Sequence, residues 1–156
     1  MAELIIDDKT YQAKATFKFE KLANERYSES GGQDIGGFMS IYLGLLQFDS
    51  LSLLAFWDCA LQHYKKDRPS IDAIEDKLEE LIEEDSEQPF KDVFGVLDDS
   101  GFFRKRVKDI WTELEKEEPE REEETPEQAK EREDQKKMIE FMKKRREELK
   151  EQTSTK

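Results

Sequence analysis

Cys59 and His63 stand four residues apart, a spacing that puts two side chains on one face of a helix. A thiol beside an imidazole is the pairing that turns cysteine into a nucleophile. These are also the chain's one cysteine and one histidine. Both lie in an apolar run, where a free cysteine behaves as a small hydrophobe, and the spacing is common, so packing is the reading adopted. The pair offers at most two metal ligands, short of the three or four that zinc takes. Gly31-Gly32 and Gly36-Gly37 do not form a dinucleotide or phosphate-loop fingerprint, and no strand leads into them. Asp7-Asp8 and Asp98-Asp99 lack the spacing of a calcium loop. With 39 carboxylates in the chain, any two could be called a catalytic pair, so none is. The expectation is a protein without catalytic residues, metal or cofactor, and therefore not an enzyme.

The apolar run itself, Ile35 to Tyr64, is what the rest of the chain is organised around. In its second half Leu51, Leu53, Leu54, Ala55, Phe56, Trp57, Cys59, Ala60, Leu61 and Tyr64 point nearly all round a helix. A helix apolar on every side must be covered on most sides, by a tight helical cluster or by another subunit. Gln47, Asp49, Ser50 and Ser52 interrupt the run, which predicts two helices and no membrane span. The first eight residues have neither the basic start nor the long apolar core of a leader.

Charged residues make up 42% of the 156, against about 25% in ordinary domains, and the formal net charge is −13. From Glu113 to Lys156 there are 16 acidic and 12 basic residues; the first 112 hold the other 23 acids and 14 bases, a net of −9. So acidic a balance argues against nucleic acid as a partner, because phosphate binding needs clustered Lys and Arg. A single cysteine excludes an intrachain disulfide and fits a reducing compartment.

The elements follow in order. Leu4-Ile5-Ile6, the turn residues Asp7-Asp8-Lys9, and Tyr11, Ala13 and Ala15 alternating with polar neighbours predict a β-hairpin over Glu3–Thr16, with its Tyr11/Ala13/Ala15 face on helices. Thr16 caps a helix with the stripe Phe19, Leu22, Ala23, Tyr27. Residues 28–34 read as a loop. Two central helices are expected, over 35–48 and then from Asp49 or Ser50 to about Arg68. Gly36, Gly37 and Gly44 allow another backbone to come close to the first. Ser70 starts a helix with Ile71, Ile74, Leu78, Leu81 and Ile82 inward, and residues 84–89 break it. Phe90, Val93, Phe94 and Leu97 give a short amphipathic helix, Asp98–Gly101 a turn, and Phe103, Val107, Ile110, Trp111 and Leu114 a last core stripe. Residues 115–125 read as an acidic linker. Thr125-Pro126-Glu127-Gln128 then opens a charged C-terminal helix within residues 126–156, partly ordered, with a small Met138/Phe141/Met142 cluster. That cluster reads either as a docking point for another protein or as incidental apolar residues on a solvated helix. The fold class is thus mainly α: a hairpin on a cluster of about six helices in residues 1–114, a linker, and a charged helix.

Three features favour an interaction protein: a large apolar helix pair, a charged linker, and a terminal helix with an apolar cluster. The alternative from another class is a small acidic regulator that binds a basic protein or mimics DNA. The strongest acidic run, residues 115–124, is broken by Pro119, which counts against a rigid mimic.

Leu4-Ile5-Ile6-Asp7-Asp8-Lys9-Thr10-Tyr11 followed by Thr16-Phe17-Lys18-Phe19 resembles the start of the tail assembly chaperones of long-tailed phages of Gram-positive bacteria. Those open with an L-x-I-x-x-K-x-Y hairpin and a K-F-x-F entry to a helix. Pro69-Ser70-Ile71-Asp72-Ala73-Ile74-Glu75-Asp76-Lys77-Leu78 is similar to their P-S-x-D-x-I-x-x-x-L stretch, and the likeness runs over about residues 3–114. The resemblance implies a helical, non-enzymatic chaperone of the host cytoplasm that is absent from the finished virion. It implies self-association, binding to the tape measure protein, and recruitment of the tail tube protein through a frameshifted long form. On that basis Phe38, Tyr42, Leu45, Phe48, Leu53, Phe56, Trp57, Met138, Phe141 and Met142 are the candidate partner or self-association residues, while each central-helix position among them reads first as plain core.

Overall fold

A computed structural model describes residues 2–28, 36–116 and 125–150. Strands β1 (Glu3–Ile6) and β2 (Lys9–Gln12) pair antiparallel, Leu4 opposite Tyr11 and Ile6 opposite Lys9. The turn between them holds Asp7 at φ 50° and Asp8 at φ 66°, the left-handed pair of a tight hairpin that aspartate tolerates. The second strand is shorter than its alternation predicts, ending at Gln12. The backbone still continues in partnership: Ala13 N–H donates to Ala2 and Lys14 N–H to the carbonyl of Ala60. Tyr11 and Ala13 are buried as expected, Tyr11 edge-on to Tyr64 at 5.2 Å, so the hairpin leans on the helices.

Helix α1 (Phe17–Arg26) starts at Thr16, whose Oγ1 accepts from Phe19 N–H, and buries Phe19, Leu22 and Ala23. Residues 29–34 of the expected loop, and Ile35 of the expected first central helix, lie outside the described residues. Helices α2 (Gly37–Leu46) and α3 (Ser50–Ala60) are the central pair, buried almost all round. Gly37 explains how α2 packs so closely: a Cβ there would overlap the Ala23 carbonyl of α1. The end of α2 is closed by Asp49 N–H on Gly44 O and Phe48 N–H on Leu45 O, a paired cap that places Phe48 at φ 55°. Glycine is usual at that position; here a phenylalanine holds it.

The second central helix does not run to Arg68. It stops at Ala60, and a 3₁₀ stretch, Gln62–Asp67, follows with Lys65 at φ 56°. A buried acid organises this end. Asp58 accepts from Arg26 Nη1 (3.1 Å), the Tyr27 hydroxyl (2.7 Å) and the Arg68 guanidinium, tying α1, α3 and the segment after the 3₁₀ turn. The turn back to Arg68 brings that cation over the helix end, which a continuous helix would carry away.

Helix α4 (Ile71–Glu84) is capped by Ser70, whose Oγ accepts from Ala73 N–H. Ile74 and Leu78 are buried, but Ile71 at the head of its stripe is exposed. Helix α5 (Gln88–Asp98) follows a turn in which Asp85 Oδ1 accepts from Glu87 and Gln88 N–H. Helix α6 (Arg104–Leu114) buries Val107, Ile110 and Trp111. Helix α7 (Pro126–Lys150) opens on a reciprocal cap, Gln128 N–H to Thr125 Oγ1 and Thr125 N–H to Gln128 Oε1. The architecture is therefore the expected one: a two-stranded hairpin, a helical cluster and a charged C-terminal helix.

Candidate interaction surface

The central-helix candidates face inward. Phe38, Tyr42, Leu45, Leu53, Phe56 and Trp57 are buried within the subunit, and Phe48 is half-buried. Phe38 stacks on Phe103 at 4.1 Å, Phe56 lies edge-on to Phe19, and Tyr42 packs on Phe94. Each such large side chain, fully buried, contributes on the order of 1.5–3 kcal/mol to folding. The cluster and the hairpin thus supply the cover that the all-round apolar helix α3 requires. Of the C-terminal trio, Met142 is buried against the body while Met138 and Phe141 are 57% and 48% exposed.

Helix α7 is seated through its last three turns. Met142 and Leu149 enter the core. Arg145 lies over the Phe48 ring at 4.2 Å and donates to the Leu46 carbonyl at 3.2 Å. Arg146 lies over Trp111 at 5.0 Å. Arg146 and Lys150 both reach Asp98, the last residue of α5, whose carboxylate is fully covered. Arg146 spans both carboxylate oxygens at 3.0 and 3.3 Å, and Lys150 Nζ sits at 2.8 Å. From below, the Tyr42 hydroxyl donates to Asp98 Oδ1 at 2.6 Å and accepts from Trp111 Nε1 at 2.7 Å. Burial alone would push the Asp98 carboxyl up. The Lys150, Tyr42 and Arg146 donors together outweigh it and hold the group below the usual carboxylate range. Burial, with the bond to Asp98, raises the Tyr42 hydroxyl well above its ordinary value. Sequence periodicity placed Asp98 in a turn; the signal available was an acid directly after the Phe90–Leu97 stripe, next to the inward face.

The remaining large apolar exposure among the described residues lies elsewhere on the surface. Phe17 at the head of α1 and Phe102 before α6 are 67% and 41% exposed and meet edge to face at 4.8 Å, with Phe103 buried behind Phe102. Ile5, Leu51 and Ile71 are also exposed.

The Cys59–His63 pair is not assembled for nucleophilic chemistry. Cys59 is buried, and burial pushes its thiol far above the range in which a thiolate forms, with the Asp58 charge adding to the effect. His63 lies beyond the helix end with Nε2 2.8 Å from the Gln12 carbonyl. Among the described residues no group of three or more His, Cys, Asp or Glu is placed to hold a metal, and no helix is long and apolar enough to cross a membrane.

The described residues thus form a hairpin on a helical cluster, most of whose aromatic side chains are buried in the core, with Phe17, Phe102 and Phe141 exposed. Comparison with known families gives it a place: residues 3–112 match the family described as "Phage tail assembly chaperone protein, TAC", and the chain belongs to that family. No curated protein and no solved structure matches the chain.

Proposed function

We propose that the protein self-associates and binds the tape measure protein in the host cytoplasm, keeping it soluble until tail tube subunits polymerise around it. On this reading it leaves before the virion is complete, and a frameshifted long form brings the tube protein. The observation that carries the reading is the Phe17–Phe102 pair, two exposed aromatic rings in contact on the surface of a chaperone-family body. Exposed aromatics at one place on a strongly charged surface are what an apolar client needs, and the chain's net charge of −13 keeps the complex dispersed.

The test has two readouts. Light scattering over a concentration series should give masses at multiples of 18.5 kDa that grow with concentration; a strict monomer throughout would overturn self-association. Co-expression with the tape measure protein should leave that protein in the supernatant. The doubly substituted chain Phe17→Ser/Phe102→Ser should keep its unfolding midpoint and lose this effect. Undiminished rescue by that variant would overturn the assignment of the surface.

A further inference from the structure

Helix α7 meets the body as a ligand meets a receptor. The socket is built from α2, the residues just after it, α5 and α6: the Leu46 carbonyl, the Phe48 ring, Trp111, and Asp98 held from beneath by Tyr42. What fills it is a pattern on one helix face: Met142, Arg145, Arg146, Leu149 and Lys150, at helical spacing. Asp98 is fully covered when the helix is seated. Removing the helix strips two cations from that carboxylate, and a replacement that brings the same cations restores both ion pairs. The helix that carries them is α7, and every copy of the chain has one.

Charge and reach both permit a neighbour's helix to serve. The first 112 residues carry a net −9, so two bodies repel each other, whereas α7 holds nine basic and seven acidic residues and attracts either body. Eight residues, 117–124, join Lys116 to Thr125, and a segment of that length can extend to about 30 Å. A body of this size has a radius of gyration of about 13 Å, so that reach is comparable with the body's own dimensions. The contacts made are the same whichever copy supplies the helix, which makes exchange a low-cost route to association.

We propose that in the self-associated form α7 of one copy seats in the α2/α5/α6 socket of the next, clamping the neighbour's Asp98 with Arg146 and Lys150. The proposal rests on the self-association put forward above and names the contact that makes it. Passed from copy to copy, the exchange is head-to-tail, and closes into a ring or continues as a spiral according to the rotation between bodies.

The unaltered protein tests it. Equal amounts of ordinary and ¹⁵N-labelled chain are unfolded together, refolded, and separated by size. Each fraction is treated with a zero-length carbodiimide. Two cross-links are followed by mass spectrometry: Lys150 to Asp99, whose atoms lie 3.1 Å apart, and Lys143 to Glu115, 3.0 Å apart. Both join α7 to the body, so exchange moves both together. The expected result is that about half of each cross-linked pair in the multimer fraction combines a light and a heavy peptide, the statistical limit for full exchange, and almost none does in the monomer fraction. Multimers whose cross-links are all unmixed would overturn the exchange and leave self-association standing. Mixing of only one pair would also overturn it, as mere proximity between neighbours. A chain that forms no multimer at any concentration would overturn both readings.

Discussion

Replacing Tyr42 by Phe removes one oxygen from the centre of the molecule and nothing else. The ring keeps its place against Phe38 and Phe94, and no large cavity opens. Two partners lose a contact. Asp98 loses a 2.6 Å hydrogen bond, and bonds to charged groups are worth about 1.5–3 kcal/mol. Trp111 Nε1–H loses its acceptor in a buried position, at a cost of about 1–3 kcal/mol. The two losses share a site and do not add fully, and Arg146 and Lys150 keep the carboxylate paired. The expected destabilisation is therefore about 2–4 kcal/mol, or a fall in midpoint temperature of about 5–15 °C for a chain of this size. Urea unfolding reports it directly, followed by fluorescence of Trp57 and Trp111 and by circular dichroism, provided the two signals coincide. A loss below about 0.5 kcal/mol would refute the reasoning, since it would mean that Trp111 and Asp98 are satisfied without the hydroxyl.

Two further outcomes follow from the same structure. Gly37→Ala places a methyl group on the Ala23 carbonyl, so α1 and α2 must separate; a loss of about 2–3 kcal/mol in urea is expected, and an unchanged midpoint would contradict the close approach. The Asp98 carboxyl is held below its unfolded value, so its contribution is full above that value, about 3.9, and is lost as pH falls through the lower folded value. The stability difference between the native chain and Asp98→Asn should be largest at pH 7 and shrink below about pH 4; a difference undiminished at pH 3 would contradict the assigned ionisation.

Local chemistry was readable where its partners are close in sequence. Thr16 and Ser70 cap their helices, Thr125 and Gln128 cap each other, and the hairpin turn falls at Asp7-Asp8, because each depends on residues within four positions. The stripes Phe19–Leu22–Ala23 and Phe90–Val93–Phe94–Leu97 were legible for the same reason. What periodicity could not supply was the long-range polar pairing. Asp58 lies two residues before the end of an apolar helix, and the chain turns there so that Arg68 comes back over it. Nothing in the run of α7 distinguishes Arg146 and Lys150 from the other surface cations, since their value comes from a carboxylate 48 and 52 positions away. Gly37 was legible as a close-approach site, but its partner, α1, was not.

Phe48 shows how one residue can serve two masters. Its left-handed backbone costs about 1–2 kcal/mol relative to a glycine, in the turn that closes α2. Its ring is also the platform on which Arg145 rests and the edge that meets Phe90. A glycine would relax the turn and leave the arriving guanidinium without a seat. The body therefore carries a small internal tension at the very point where α7 arrives, and the cation above the ring offsets part of it. A clasp built this way is more than an addition to a finished domain: the domain is least at ease with its clasp undone.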